Sequence, residues 1–318
     1  MEDSLKIPNR IVNKQNSLVI LYVFLAIIFS ACYGFAQTRL TAKDYFQRGA
    51  ARAEKGQYAE AIAEYTKAIK LKPGLYEAYN NRGLAYKEQG ELDLAISDYS
   101  KAIELSPQFY EAYLNRGVAY KLQGKFDLAL TDHSKAIQLS PKTIDAYVNR
   151  GNVYSRQAKF DLAVADFNKA LQISPQSSAA YVNRGNNYFR QNKFDLAIAD
   201  YNKAIQLSPA DSTNYHSRGA AYFEQKKFDL ALTDFNKAIS LNSLDSDTYF
   251  NRGLVYISQG YVDSAVNDLN KAIELNPKNN QPYLLRAQIY CRLGKKDLAI
   301  ADENKAIELG ATVIQKCP

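Results

Sequence analysis

The sequence predicts an all-α solenoid, and three observations carry that prediction. The pair Arg-Gly, or a close variant, returns every thirty-four residues in eight copies: Arg48-Gly49, Arg82-Gly83, Arg116-Gly117, Arg150-Gly151, Arg184-Gly185, Arg218-Gly219, Arg252-Gly253 and Arg286-Ala287. Between copies, apolar and small residues recur at three- and four-residue steps, the periodicity of a helix. Breakers such as Gly90 and Pro107 divide one period into two short helices. Self-similarity at this spacing marks a stacked repeat architecture. The 318 residues are therefore read as one continuous array that offers a long surface and no central pocket.

Taken in order, residues 1–16 are polar and carry Lys6, Arg10 and Lys14. Leu18 to Phe29 is unbroken apolar sequence, followed by the small residues Ser30, Ala31, Gly34 and Ala36. A basic start, a short apolar run and a small-residue exit predict an export signal over residues 1–36, cleaved after Ala36. Two alternatives stand beside it. Counted through to Ala36, the run approaches the length of about 20 residues that spans a bilayer, so it would serve as an uncleaved anchor. Phe29-Ser30-Ala31-Cys32 also resembles a bacterial lipobox, which would place a lipid on Cys32, although Phe29 stands where an aliphatic residue is usual. All three readings put the remainder outside the cytoplasm: periplasmic, secreted or membrane-anchored.

The repeats occupy 42–314 and leave a tail at 315–318. In the second unit, Tyr79, Gly83 and Tyr86 share a face of the first helix. Leu92, Ala95, Tyr99, Ala102 and Leu105 follow on the second helix. Small residues sit where two helices approach closely, and tyrosines fill the space beside them. Asp93 and its equivalents Asp127, Asp161, Asp195, Asp229, Asp263 and Asp297 lie in the first turn of each second helix, where negative charge meets the helix dipole favourably. The last unit has Lys296 and Glu303 where others are apolar or aromatic, which reads as a polar outer face on a terminal unit.

The pattern resembles the tetratricopeptide repeat family. With the Gly of Arg-Gly at position 8, position 4 is Tyr in all eight units (Tyr45, Tyr79, Tyr113, Tyr147, Tyr181, Tyr215, Tyr249, Tyr283), and positions 20 and 27 are always Ala. Pro closes six units, replaced by Ser243 and Ala311 in the others. The resemblance covers everything beyond the export segment. It implies a right-handed superhelix of helix-turn-helix repeats with the first helices on its concave side. The chain departs from the family at position 7, where Arg replaces the usual Leu. Each Arg is followed sixteen residues later by an acid: Arg48 by Glu64, Arg82 by Asp98, Arg116 by Asp132, Arg150 by Asp166, Arg184 by Asp200, Arg218 by Asp234, Arg252 by Asp268 and Arg286 by Asp302. A partly buried Arg needs a partner, so structural ion pairs between facing helices are expected.

The resemblance also implies that positions 2, 5, 6, 9, 12 and 13 face a ligand. Position 6 is Asn in Asn81, Asn115, Asn149, Asn183 and Asn251, and an amide both donates to and accepts from a peptide backbone. Apolar side chains cluster later, at Phe189, Phe223, Phe250, Leu254 and Ile257. Together they predict a non-enzymatic scaffold that holds a protein or peptide segment in the groove. A membrane-tethered spacer with no groove ligand is the other reading. The carboxylate clamp of chaperone-binding family members is not matched, since Val148, Val182, Thr213 and Ser217 occupy its slots.

No cofactor or metal is expected: no catalytic triad, metal set or phosphate-binding Gly loop is present, and His133 and His216 stand alone. Net charge is +7 with acids and bases interspersed, which disfavours nucleic acid. Membrane contact is expected only through the N-terminal segment. Cys32, Cys291 and Cys317 show no metal-ligand spacing; the last two are read as two free thiols, the commoner outcome, with a bridge between them as the alternative in an oxidising compartment.

Overall fold

The computed structural model describes residues 40–312, which are helix, turn or short connection with no strand among the described residues. The export segment, Cys32, Cys317 and the tail lie outside them. Two compact units divide the chain after Gly90. The first holds α1 (Ala42–Glu54), α2 (Tyr58–Leu71) and α3 (Tyr76–Glu88). The second opens with α4 (Leu92–Leu105), α5 (Tyr110–Leu122), α6 (Phe126–Leu139), α7 (Ile144–Arg156) and α8 (Phe160–Ile173). It continues with α9 (Ser178–Arg190), α10 (Phe194–Leu207), α11 (Ser212–Glu224) and α12 (Phe228–Leu241). It ends with α13 (Ser246–Gln259), α14 (Val262–Leu275), α15 (Asn280–Arg292) and α16 (Lys296–Glu308). Inside each unit every helix packs on the next, the arrangement of an all-α solenoid.

The local code is visible in α10, where Ala197, Tyr201 and Ala204 are buried at four- and three-residue steps while Leu196 and Lys203 face solvent. No side chain caps its N-terminus, but Asp195 places a charge in the first turn. That acid has a second task. The Gln225 amide donates to Asp195 at 2.8 Å, and Gln123, Gln157 and Gln259 reach Asp93, Asp127 and Asp229 in the same way, each one repeat back. The turn inside each helix pair needs a left-handed residue. Gly90, Gly124 and Gly260 supply it elsewhere, but Ala158, Asn192 and Lys226 adopt it at φ 57–59°.

Glycine at position 8 is explained by what faces it. A Cβ on Gly185 would lie 2.7 Å from the ring of Tyr201, and one on Gly151 would lie 2.8 Å from Phe167. At Gly253 the facing residue is Leu269, and a Cβ there meets nothing closer than 3.6 Å. The opposed ring, not the helix, therefore requires the glycine. Gly185→Ala is expected to cost about 1–2 kcal/mol through overpacking. Gly253→Ala should instead gain up to about 1 kcal/mol from helix propensity. Urea denaturation of the two variants checks the change of sign, and destabilisation by both would contradict it.

The same relation corrects one expectation. Glu303 is not on an outer face: it is buried at position 24, the position whose side chain faces position 8 at Gly49, Gly117, Gly151, Gly185 and Gly219. Where the ring is replaced by Glu303, the opposed glycine is replaced by Ala287. Lys296 is exposed.

Arginine at position 7 ties three consecutive helices together. Arg116 on α5 donates from Nε and Nη2 to Asp132 on α6 at 2.8 and 2.9 Å, and from Nη1 to Ser100 Oγ on α4 at 3.0 Å. Its guanidinium lies 5.8 Å from the ring centres of both Tyr113 and Tyr120. Arg150, Arg184, Arg218, Arg252 and Arg286 repeat the fork with Asp166, Asp200, Asp234, Asp268 and Asp302. Their Nη1 atoms reach Ser134, Asn168, Asn202, Asn236 and Asn270 on the preceding second helix. The hydrogen bond to Asp132 holds the Arg116 guanidinium more firmly protonated than an ordinary arginine. In the first unit the contact loosens: Arg48, half exposed, meets Glu64 at 3.2 Å. Arg82 donates to Thr66 at 3.0 Å in that unit, and Asp98 is buried in the other.

Candidate protein-binding groove

Helices α5, α7, α9, α11 and α13 touch one another across the intervening second helices, so their faces adjoin. Between α5, α7 and α9 lies a cavity of about 490 Å³. Lys121 contributes from α5, Asn152, Ser155 and Arg156 from α7, and Asn183, Asn186, Phe189 and Arg190 from α9. Register explains the set: they hold positions 6, 9, 12 and 13 of their units, which share one helix face at three- and four-residue steps.

The predicted asparagines do not form one uniform row. Asn149 and Asn183 are half-buried on adjoining helices, and the Asn183 side-chain amide donates one hydrogen bond to Ala179 O of its own helix at 2.8 Å. Asn115 is half-buried on α5. Asn251 contacts His216 Nε2 at 3.3 Å. Asn81 accepts from the Asn80 amide at 3.2 Å in the first unit. The apolar candidates are half-buried too, and their rings serve the packing. Phe189 meets Phe194 edge-on at 5.4 Å, Phe223 meets Phe228 at 6.0 Å, and Phe250 and Ile257 pack on the cluster around Leu269 and Ile289. Leu254 is half-buried beside them on α13.

His216 is embedded in the structure. Its Nδ1 lies 2.7 Å from Thr248 Oγ1, Thr248 donates to Asp245, and the ring stands edge-on to Phe235 at 5.8 Å. Burial lowers its basicity, opposed by Asp245 and Asp247. His133 is fully buried against Gly117, and burial pushes it down to about 3. Among the described residues no cluster of His, Cys, Asp or Glu could hold a metal ion, and no helix is long and apolar enough to cross a membrane. Cys291 on α15 is disulfide-bonded.

Two functional candidates went unnoticed in the sequence: Arg156 and Arg190. Both hold position 13, which elsewhere carries Glu54, Glu88, Leu122, Glu224, Ser258 and Arg292. That charge reversal was the available signal. Asn149, Asn152 and Arg156 make no side-chain hydrogen bond among the described residues, whereas the position-7 arginines on the same helices are locked in forks.

Family models for the tetratricopeptide repeat match this chain over residues 49–177 and 185–294. One, described as TPR repeat, covers residues 49–90, 83–124, 185–226, 219–260 and 253–294. Another, described as Tetratricopeptide repeat, covers 110–143 and 144–177. The chain belongs to the tetratricopeptide repeat family, whose repeats form protein-interaction scaffolds.

Among solved structures it resembles a tetratricopeptide repeat protein from Parabacteroides merdae, with a TM-score of 0.63 and 20% identity over 84% of this chain and 98% of that one. It also resembles a chain of the APC/C hetero-tetramer Cut9–Hcn1, with a TM-score of 0.63 and 18% identity over 81% of this chain. It spans about half, 51%, of that relative's length. At these identities the likeness is one of fold. No curated protein matches the sequence.

Proposed function

We propose that this protein is a non-enzymatic scaffold that holds a segment of a partner protein along the groove formed by its first helices. One observation carries the reading: the side chains of Asn149, Asn152 and Arg156 make no hydrogen bond among the described residues, while Arg150 and Arg184 on the same helices are locked in forks. Amides beside a half-buried Phe189 suit a peptide, whose backbone both donates and accepts. We further propose that the repeats act outside the cytoplasm. The basic start and the apolar run of Leu18 to Phe29 support export, and a disulfide at Cys291 fits an oxidising compartment.

Photo-cross-linking tests the reading. A photoreactive side chain at Asn149 or Asn183 should yield a discrete protein adduct in cells, and one at Leu162, exposed on α8, should not. Adducts from Leu162 alone would put the working surface on the second helices. The absence of adducts from every site would leave the tethered spacer as the better account.

A further inference from the structure

We infer that the groove over α5, α7 and α9 selects an acidic segment, with partner carboxylates seated on Arg156 and Arg190. This rests on the groove reading above and specifies its ligand. Arg156 and Arg190 hold the same position in successive repeats, and both line the 490 Å³ cavity together with Lys121. No acid lines it. The acids of the same helices, Glu111 on α5 and Asp145 on α7, sit at the opposite ends, ten or eleven residues away, which is about 15 Å along the axis.

The helices thus carry two kinds of arginine. Arg150 and Arg184 are forked onto Asp166 and Asp200, but neither Arg156 nor Arg190 is in a salt bridge among the described residues. Arg190 gives only Nη1 to the carbonyl of Ser155 at 3.2 Å, and both residues are exposed. Like charges gathered on one wall repel one another, and an anion placed between them relieves that repulsion while gaining charge-assisted hydrogen bonds.

Geometry favours a particular spacing. Packed helices lie about 8–10 Å apart, and that sets the scale between equivalent residues of adjoining helices. An extended segment in the polyproline conformation rises about 3.1 Å per residue and returns residues three apart to the same side, about 9 Å on. Acids three residues apart therefore match the two guanidiniums. Asn152 and Asn186, four residues before Arg156 and Arg190 on the same helices, line the same cavity, and the Asn152 amide and the Asn186 amide nitrogen remain for the segment's backbone while Asn186 Oδ1 accepts from Tyr201. A protein segment is favoured over nucleic acid because the wall alternates cations with amides and one half-buried ring, without a continuous basic track.

The test uses the full chain and a fluorescent nonapeptide with Glu at every third position and Ala between. Matched peptides with Gln or Lys replacing Glu, and a nine-nucleotide oligothymidylate, serve as comparisons. Fluorescence anisotropy should show the Glu peptide binding at least tenfold tighter than the Gln peptide, with affinity falling as salt rises. The doubly reversed variant R156E/R190E should lose the Glu peptide and gain the Lys peptide. That gain also shows that the variant is folded. Equal binding of Glu and Gln peptides, or no binding of either, overturns the inference, as does tighter binding of the oligothymidylate. If position 183 still cross-links a partner in cells, only acid selection has failed; if it does not, the groove reading falls with it.

Discussion

Replacing Asp166 by Ala is expected to destabilise the second unit by about 3 kcal/mol, which is large for one exchange. Asp166 is buried and receives two hydrogen bonds from Arg150, at 2.8 and 2.7 Å. Its removal leaves a guanidinium with only one-fifth of its side chain exposed facing an empty space between α7 and α8. The remaining bond to Ser134 and the flanking rings of Tyr147 and Tyr154 do not neutralise it. The cost comes from the orphaned charge more than from the lost attraction. The double variant R150M/D166L should therefore recover most of the stability. Because a repeat array need not unfold as one step, hydrogen exchange on α7 and α8 is the appropriate reading beside urea denaturation. An unchanged exchange rate in Asp166→Ala would mean that the fork is ornamental.

His133→Phe is expected to stabilise the protein by about 2 kcal/mol at neutral pH. His133 fills a position held by Phe167 and Phe235 in other repeats, yet neither ring nitrogen has a hydrogen-bond partner among the described residues. Each buried polar atom left unpaired costs roughly 1–3 kcal/mol, and a phenyl ring has none. Burial first, then the nearby Lys121 and Arg150, disfavour the charged form and push the group down to about 3. The sign follows from linkage. The unfolded imidazole, near its ordinary 6.5, takes up a proton that the folded one refuses. This contribution to stability is complete above pH about 6.5 and is lost as pH falls towards 3. The stability gap between His133→Phe and the parent should therefore widen below pH 6.5 by about 1.4 kcal/mol per pH unit. A gap that stays constant between pH 7 and pH 5 would show that the ring is solvated or bonded.

The sequence disclosed the helix pairs because periodicity, breakers and small residues recur in every copy, and each repeat reports the same local physics. The acid sixteen residues after each Arg was legible for the same reason. What escaped was anything spanning repeats. The third arm of the arginine fork, to Ser100 or Asn168, points backwards to a residue with no charge to advertise it. The Gln225–Asp195 bond crosses thirty residues and disguises itself as a helix-dipole acid. Glu303 misled because polarity alone suggests solvent, whereas the position dictates burial.

The candidate groove was half legible. Asn152 and Asn183 line the cavity where the register of the first helices puts them, and Asn149 holds the same position on α7 as Asn183 on α9 without lining it. The phenylalanines pack, since a ring on a first helix lies within reach of the next second helix, as Phe189 does on Phe194. Arg156 and Arg190 were visible only by comparing one position across all repeats, which patterns within a single repeat cannot show.

The division of labour between a locked framework and an idle groove face is what the account requires above all. The fourfold variant N149A/N152A/N183A/R156Q tests it most directly through its urea denaturation curve. The stability should fall by no more than about 2 kcal/mol, since exchanges away from buried networks each cost within about 0.5 kcal/mol, while cross-linking to the partner from a probe at Asn186 disappears. A loss of several kcal/mol would contradict the account, because these residues would then belong to the framework and the groove would have no side chains to spare for a partner.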